Sequence, residues 1–389
     1  MLINTTKLLK AASLGILILG FFRTAALGEW QRDDKSLAWV SGTNVFWRFT
    51  FDPGKGKPFF HAVAPGGKMS LTNFKPADHP WHYALWFSWK YIYHPNEARH
   101  VNYWEEDSAG HAQGKTRWDP PTIETQTDGR AALRLKLSYV NPSGETEMTE
   151  LRELNVSAPA ADGGFFIDWL ARFTVGDKDL VLDRTPMPAE PGGQVNGGYA
   201  GLSARMVPLP DTMSVVTTAG PVERFVSHRA RPNAAAVACN FSDGSRDIGS
   251  LAFFSDPANT GGDAPWYIID SGQMPFICQA LLAPKPHSVP AHSQFALRYR
   301  IAVSPKARTQ AELESGQKEW LKNKRHPAAA NLKKEETAMK TNRDRPLDQP
   351  ADPDGRHQAD LGSRQGRVTR KCPGQLDAGP AAPQRIRAA

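Results

Sequence analysis

The sequence predicts an all-β fold, namely a large antiparallel β-sandwich of the supersandwich type with one short C-terminal helix. Short segments of alternating polar and apolar residues recur between residues 36 and 305, and turn-forming pairs such as Asp128-Gly129 and Asp243-Gly244 separate them. Alternation with a period of two places one side-chain face in the core and the other in water. Strands that follow one another without intervening helices favour an antiparallel sandwich or barrel, and the length of this body favours a doubled, many-stranded sandwich.

Ten segments are predicted as strands. In chain order they are Leu37–Val40, Asn44–Phe51, Ala131–Val140, Thr146–Val156, Gly164–Val175, Thr212–Thr218, Ala235–Asn240, Gly249–Phe254, Trp266–Ser271 and Phe295–Val303. The alternation is clearest in the third and the last of them, where Leu and Tyr alternate with Arg and Lys. One convincing helical pattern follows, over Thr309–Asn323. We find no internal repeat that divides this body.

The positive charge of the chain is concentrated at its two ends. The 389 residues hold 47 Lys and Arg against 40 Asp and Glu, a formal net charge of +7. Residues 1–28 contribute +3 and residues 325–389 contribute +5, which leaves −1 for residues 29–324. A nucleic-acid-binding surface needs clustered Lys and Arg on the folded body, so the sequence predicts no nucleic-acid partner. It gives no prediction of the oligomeric state.

Residues 1–28 have the pattern of a cleaved secretory signal peptide. Two lysines precede the twelve-residue apolar run Ala11–Phe22, and small residues at 26 and 28 suit cleavage after Gly28. Twelve residues are too few to span a bilayer as a helix, which needs about 20. We therefore expect a periplasmic or secreted protein with no integral membrane segment in the mature chain. Arg23 lies close to the cleavage point, which leaves an uncleaved anchor as the alternative.

The composition divides the rest of the chain into a single β-sandwich domain at 29–324 and a basic tail at 325–389. All 11 Trp lie between residues 30 and 320, which suits a large buried core. The tail has no aromatic residue and many Pro, Gly, Ala and Arg, so we expect it to be disordered. Cys239 and Cys278 lie in segments with strand-like sequences, where buried free thiols are favoured over a disulfide.

The densest group of chemically active side chains begins at Asp78–His82 (DHPWH). Its proline prevents ordinary helix continuation, so both imidazoles lie in a loop or at a strand edge. Imidazole transfers protons near neutral pH, and a carboxylate in a partly apolar pocket can be tuned to donate the complementary proton. The sequence therefore predicts His79 and His82 as an acid–base pair or polar clamp, with Glu105 or Glu106 as the catalytic carboxylate.

Aromatic side chains crowd the same part of the sequence. Trp81, Trp86 and Trp104 are predicted to stack on a sugar, because an aromatic face packs against ring C–H groups while hydroxyls meet polar groups. Asn73 and Arg205 are predicted to orient those hydroxyls, and the glycine-rich segment that contains Arg205 permits close approach of a ligand. A core position for each Trp and a tight strand crossing for the glycine-rich segment are the structural alternatives.

A divalent-metal site is a second interpretation of the histidine pair. His-x-x-His with a nearby carboxylate can ligate such an ion, although no helix fixes the geometry of His79 and His82. The sequence favours no cofactor and leaves a divalent metal open. It contains no phosphate-binding loop and no Gly-x-Ser-x-Gly elbow, which disfavours an acyl-transfer hydrolase.

Four segments together resemble a bacterial family labelled "methane oxygenase PmoA"-like, whose function is unassigned: Gly66–Phe74, Asp78–Trp89, Val101–Glu106 and Gly197–Arg205. The resemblance runs from about residue 36 to residue 305. The His-Pro-aromatic-His loop is also similar to that of galactose mutarotase-like sugar-binding sandwiches, in which a histidine and a carboxylate serve a sugar site. A true methane oxygenase subunit has several membrane-spanning helices, so we expect no methane oxidation from this chain.

These features together predict an exported carbohydrate-active protein that binds or acts on a sugar or glycoside through a cleft of histidine, carboxylate and aromatic side chains. The expected ligand is a small molecule or an oligosaccharide. Hydrolysis, elimination and epimerisation all suit such side chains, and the sequence leaves open whether the protein is an enzyme. The alternatives are a non-catalytic carbohydrate-binding or surface-assembly module, and a metal-dependent enzyme that uses His79 and His82.

Overall fold

The computed structural model describes residues 28–322, except 98–99, 108, 210–212 and 261–264. The predicted signal peptide, apart from Gly28, lies outside the described residues. So do the predicted tail and two end residues of predicted elements, Thr212 and Asn323. The division of the chain into signal, domain and tail therefore stays a prediction.

The described residues form 23 β-strands and one α-helix. The strands of the first half are β1 (Glu29–Arg32), β2 (Ser36–Ser41), β3 (Asn44–Thr50), β4 (Phe59–Val63), β5 (Leu85–Ser88), β6 (Tyr91–Tyr93), β7 (Val101–Asn102), β8 (Lys115–Trp118), β9 (Thr122–Thr125), β10 (Ala131–Val140), β11 (Thr146–Val156) and β12 (Phe165–Val175). The strands of the second half are β13 (Leu180–Asp183), β14 (Gly201–Arg205), β15 (Met213–Thr217), β16 (Gly220–Pro221), β17 (Arg229–Ala230), β18 (Ala236–Asp243), β19 (Arg246–Ser255), β20 (Trp266–Ile269), β21 (Phe276–Gln279), β22 (His287–Val289) and β23 (Gln294–Ser304). The helix α1 (Gln310–Lys322) follows, and two 3-10 turns lie at Pro53–Lys55 and Pro65–Gly67.

Two large antiparallel sheets form the sandwich. One has nine strands in the order β1-β2-β3-β4-β5-β14-β21-β20-β17. The other has ten, in the order β16-β15-β18-β19-β23-β12-β11-β10-β8, with β9 also paired to β10. A smaller sheet has the order β22-β13-β6-β7. This architecture confirms the predicted all-β antiparallel sandwich.

The main hydrophobic core lies between the two large sheets. Phe60 and Phe87 of the nine-stranded sheet pack against Trp169 and Phe173 of the ten-stranded sheet, with ring centroids 6.3 and 5.7 Å apart. Buried and exposed residues alternate along most of β10, as the sequence predicts for a strand with one wet face. All ten predicted strands overlap observed ones, and β10 and β11 match at both ends.

The helix α1 packs on the outer face of the ten-stranded sheet. Leu313 and Trp320 are buried there against Phe254 and against alanines of β18, β19 and β23, whose small side chains admit the helix. This confirms the predicted C-terminal helix over its described residues. In the described part of the chain, no helix combines the length and apolarity needed to cross a membrane.

The two cysteines in the described residues are free, buried thiols. Cys239 belongs to the main core, and Cys278 lies among the aromatic residues on the outer face of the nine-stranded sheet. Burial raises the pKa of each thiol to about 12, as expected for an inert structural cysteine. The prediction of two buried small hydrophobes is confirmed.

A second cluster of buried aromatic residues covers the outer face of the nine-stranded sheet. Phe59 and Trp86 belong to this cluster, whereas their chain neighbours Phe60 and Phe87 face the main core. Successive residues of a strand point to opposite faces, so β4 and β5 contribute to both layers. The candidate site lies on this outer aromatic layer.

Candidate functional site

A cleft of about 210 Å³, smaller than the roughly 300–1,000 Å³ of pockets for drug-sized ligands, opens beside the outer aromatic layer. The aromatic part of its lining comes from Trp81, Trp104, Tyr199, Tyr267 and Phe276. The polar part comes from His79, His82, Glu105, Asn196 and Arg229. Loops and strands from five separate parts of the sequence therefore converge on one cleft.

The predicted motif Asp78–His82 forms a tight turn. The backbone N–H of His79 donates to the carbonyl of Pro76 at 3.0 Å, and that of His82 donates to the carbonyl of His79 at 2.9 Å. The turn stacks the two imidazole rings with their centroids 4.6 Å apart. One short loop thus delivers both histidines to the cleft.

His79 is the more accessible histidine of the pair, and it is held by a chain of charged groups. Its Nδ1 lies 2.9 Å from Oδ2 of Asp78, and Nη2 of Arg205 donates to both oxygens of that carboxylate at 2.8 and 3.0 Å. Burial raises the pKa of Asp78, but the hydrogen bonds from Arg205 and His79 outweigh it and hold the pKa below its usual value. Asp78 is therefore ionised, and with Nδ1–H donated to it, Nε2 of His79 is the nitrogen that accepts a proton.

His82 is buried, with 4% of its surface exposed. Its ring stacks on Phe276 with centroids 5.1 Å apart and lies 5.3 Å from the ring of Trp86. Burial, reinforced by the positive charge of Arg205, holds the pKa of His82 well below its ordinary value, so the ring is neutral. Among the described residues its Nδ1 has no hydrogen-bond partner, which suits a neutral hydrogen-bonding role toward a ligand.

Glu105 enters the same cleft from the segment after β7. Its Oε1 lies 2.6 Å from Nζ of Lys90 and accepts the Tyr199 hydroxyl at 2.9 Å, and its Oε2 accepts Nδ2 of Asn102 at 2.9 Å. Burial raises the pKa of Glu105, but Lys90 outweighs this effect and the pKa is lowered. Glu105 is thus an ionised acceptor, which suits a base and does not suit the proton donor that the sequence analysis envisaged.

Glu106 is not part of this cleft. Its two oxygens lie 3.2 Å from Nζ of Lys57 and 2.8 Å from Nζ of Lys75, and one of them accepts the Tyr83 hydroxyl. The side chain is buried and lines a second cavity. Of the two predicted carboxylates, the structure therefore brings only Glu105 together with the histidine pair.

Two of the five residues predicted to bind substrate line the cleft, namely Trp81 and Trp104. Trp104 is nevertheless only 1% exposed, so Trp81 is the more accessible of the two. Trp86 is fully buried because its strand lies near the centre of the sheet. Asn73 is half-buried and donates its backbone N–H to the carbonyl of Arg205 at 2.9 Å. Arg205 is buried and acts on the cleft through Asp78, so it positions His79 and does not line the cleft itself.

Several residues in or behind the cleft were not predicted from the sequence. Tyr199 lines the cleft and lies in the glycine-rich segment that the sequence singled out. Lys90, a lone lysine within an aromatic run, does not line the cleft but is buried against Glu105. Arg229 donates Nε to the hydroxyl of Tyr267 at 3.1 Å at the opposite wall. Burial raises the pKa of that tyrosine, which therefore keeps its proton. Tyr267 and Phe276 carried no signal in the sequence beyond their strand-like surroundings.

The described residues contain no group of three or more His, Cys, Asp and Glu side chains placed to hold a metal ion. Nδ1 of His79 contacts Asp78, and the two imidazole rings stack face to face rather than directing their nitrogens at one point. A metal-dependent reaction through His79 and His82 therefore has no preformed ligand set in this part of the chain.

The fold and the cleft define a β-sandwich protein with an aromatic cleft that carries histidine and carboxylate groups. The chain belongs to DUF6807, a family of unknown function whose model matches residues 37–317. No curated protein matches the sequence significantly. The resemblance to the PmoA-like family stays a prediction.

Several solved structures are similar to the chain. The alpha-galactosidase from Lactobacillus brevis matches with a TM-score of 0.35 and 9% identity, over 73% of this chain and 40% of that one. A GH36 alpha-galactosidase AgaA variant from Geobacillus stearothermophilus matches with a TM-score of 0.36 and 10% identity, over 72% and 40%. A heparan sulfate lyase HepC mutant from Pedobacter heparinus matches with a TM-score of 0.32 and 10% identity, over 73% and 37%. The chain spans about two fifths of the length of these proteins.

Proposed function

We propose that the protein binds a sugar or glycoside in this cleft and performs acid–base chemistry on it. The proposal rests on one observation, the convergence of aromatic walls, the Asp78-held His79 and the ionised Glu105 in a single small cleft. Trp81 is partly exposed and offers a face for the C–H groups of a sugar ring, and the charged groups offer partners for its hydroxyls.

Glu105 acts as the base in this proposal. Its lowered pKa keeps the carboxylate ionised at neutral pH, which is the state that a proton acceptor needs. Lys90 and Tyr199 fix the carboxylate in place through hydrogen bonds to the same oxygen. An orientation fixed before the ligand binds lowers the entropy cost of reaching the reactive geometry.

His79 supplies the second proton transfer. Asp78 holds its Nδ1, so Nε2 exchanges a proton with the ligand, and neutral His82 donates or accepts a hydrogen bond beside it. Epimerisation and elimination each need one base and one acid at a sugar ring. Hydrolysis commonly uses two carboxyl groups across the glycosidic bond, and Glu105 is the one carboxylate among the described lining residues. We therefore favour an epimerase- or lyase-type reaction.

The test is a calorimetric screen of neutral sugars, uronates and glycosides against the wild type, His79→Asn and Trp81→Ala. We expect saturable binding of at least one sugar, weakened about tenfold in Trp81→Ala, which corresponds to about 1.4 kcal/mol. In His79→Asn, binding stays within about fivefold while turnover falls by about 10²–10⁴. Absence of any sugar binding to the wild type, or unchanged affinity in Trp81→Ala, overturns the proposal.

Non-catalytic sugar binding is the second candidate, favoured by the three hydrogen-bond donors that already surround Glu105. It predicts that the wild type returns a bound sugar chemically unchanged. NMR of the sugar after prolonged incubation with the wild type separates the two candidates, since any epimer or unsaturated product excludes the non-catalytic one.

We also propose that the protein acts outside the cytoplasm, on the strength of the signal-peptide pattern in residues 1–28. Mass spectrometry of protein recovered from a periplasmic or culture fraction tests this proposal. An N-terminus at residue 29 is the expected result. An intact N-terminus found only in the cytoplasmic fraction overturns it.

A further inference from the structure

A second cavity, of about 760 Å³, has a strongly basic lining. The charged residues of this lining, which we call the basic cavity, are Lys55, Lys57, Lys75, Lys115, Arg117 and Glu106. With all of them ionised, the described lining carries a formal charge of +4. The predicted domain at 29–324 has a net charge of −1, so this concentration of positive charge is local and attracts anions.

One wall of the basic cavity contains two lysine ammonium groups but only one carboxylate to neutralise them. Lys57 and Lys75 contact different oxygens of Glu106, and both ammonium groups stand over the ring of Tyr83, 4.7 and 4.6 Å from its centroid. Two cations thus share one carboxylate in a largely buried setting, which leaves one positive charge uncompensated. Uncompensated charge at low exposure is costly, and a bound anion would relieve that cost.

Lys75, which contacts Glu106, has an unusual backbone conformation. Its φ is +46°, in the left-handed region that residues other than glycine rarely adopt, and its backbone N–H donates to the carbonyl of His82 at 2.8 Å. Strained backbone of this kind concentrates at functional sites. The side chain is 28% exposed, so its ammonium group pairs with Glu106 and remains accessible from the cavity.

A sheet edge supplies a second set of donors. All four residues of β8 line the basic cavity, and β8 is the last strand of the ten-stranded sheet. Among the described residues, β8 has no partner strand on its other side. The unpaired backbone N–H groups of an edge strand, together with the hydroxyl of Thr116, are suitable hydrogen-bond donors for an oxyanion.

We propose that the basic cavity is a binding site for an oxyanion, namely a carboxylate or sulfate group carried by a small molecule such as an acidic sugar. Lys75 provides the central charge, and Lys115 and Arg117 provide charge at the exposed strand. This site goes beyond the proposed function and does not depend on it, because the cleft of His79 and Glu105 has a separate lining.

The experiment is calorimetric titration of the full chain with sodium sulfate and with sodium glucuronate, at an ionic strength held constant with sodium chloride. We expect saturable binding of at least one anion. Lys75→Met weakens it about tenfold or more and still folds, because Lys57 remains to neutralise Glu106. The matched control Lys318→Met removes an exposed lysine of α1 and leaves the affinity unchanged.

The double variant Lys115→Ala/Arg117→Ala changes exposed side chains, so it tests the site even if Lys75→Met is unstable. A loss of about fivefold or more supports the proposal. Sulfate binding alone assigns a tetrahedral oxyanion and glucuronate binding alone assigns a carboxylate. Binding of neither anion, or affinities unchanged in both cavity variants, overturns the proposal. His79→Asn leaves the basic cavity intact. A loss of sugar turnover in that variant can therefore be distinguished from a loss of anion binding in the cavity variants.

Discussion

Glu105 and Glu106 are adjacent in sequence and equal in intrinsic chemistry, yet they lie in contrasting surroundings. Glu105 has 38% of its side chain exposed, contacts one lysine and lines the aromatic cleft. Glu106 has 3% exposed, contacts two lysines and a tyrosine and lines the basic cavity. The difference shows that neighbouring charges and exposure divide the roles: Glu105 is available to a ligand, whereas Glu106 is the counter-charge of the buried Lys57 and the partly buried Lys75.

The largest effect we expect comes from Glu106→Gln. Removing this charge leaves Lys57 and Lys75 without a counter-ion, and breaking a buried ion pair costs about 3–5 kcal/mol of unfolding free energy. Urea denaturation measures the loss. The exposed substitution Glu145→Gln is the control, with an expected change within about 0.5 kcal/mol.

Adding Lys75→Met to Glu106→Gln removes one of the two lysines that have lost their counter-ion. We expect the double variant to be more stable than Glu106→Gln alone. A loss below about 1 kcal/mol in Glu106→Gln would show that the lysines are solvated without it, and the contrast between the two carboxylates would then fail.

Glu105→Gln tests the other carboxylate, with a smaller expected cost in stability. Lys90 is buried and loses its partner, but Glu105 is more than one third exposed and water screens the pair, so we expect about 1–2 kcal/mol. Sugar affinity or turnover falls at least about tenfold, because the base is gone. Denaturation and the sugar assay are measured on the same preparations.

Lys90→Met in the Glu105→Gln background separates structure from function. The double variant no longer contains a buried lysine without a counter-ion, so its stability recovers toward that of the wild type. Its sugar activity stays low if Glu105 acts on the ligand. Recovery of both stability and activity would assign Glu105 a purely structural role.

The strands that the sequence predicts best are those with one wet face. β10 and β11 match at both ends. In β10 this is because charged residues interrupt the apolar ones with a period of two. β5, β14 and β21 lie near the centre of the nine-stranded sheet and are buried on both faces, so their sequences carry no alternation. Of these strands, β5 and β21 contribute Trp86 and Phe276 to the outer aromatic layer.

The candidate site was predictable where it is local in sequence. The Asp78–His82 motif brings its own turn, and its proline and paired histidines are visible without a structure. Glu105 and Glu106 lie in an irregular segment, and their roles depend on the direction in which each side chain points. No sequence periodicity predicts that direction in an irregular segment. Tyr199 and Tyr267 meet at the cleft because β14 pairs with the distant strands β5 and β21, which a single sequence does not specify.

The effect expected to be smallest at neutral pH concerns His82, which contrasts with the more exposed His79 in the same loop. Folding lowers the pKa of His82, so as pH falls through the unfolded value of about 6.5 the unfolded chain takes up a proton that the folded chain does not. His82 therefore destabilises the fold increasingly below that pH, by at most about 1.4 kcal/mol per pH unit. His82→Phe keeps the aromatic stacking and removes this dependence. Denaturation of both proteins from pH 7.5 to 5.0 measures it.

The difference between the two pH profiles isolates His82, because His61 and His287, whose pKa values burial also lowers, are present in both proteins. We expect the difference to be constant above about pH 6.5 and to favour His82→Phe progressively below it. Parallel profiles would mean that His82 is protonated as easily in the folded protein as in the unfolded chain. The contrast in this loop between a buried, neutral His82 and a more accessible His79 would then fail.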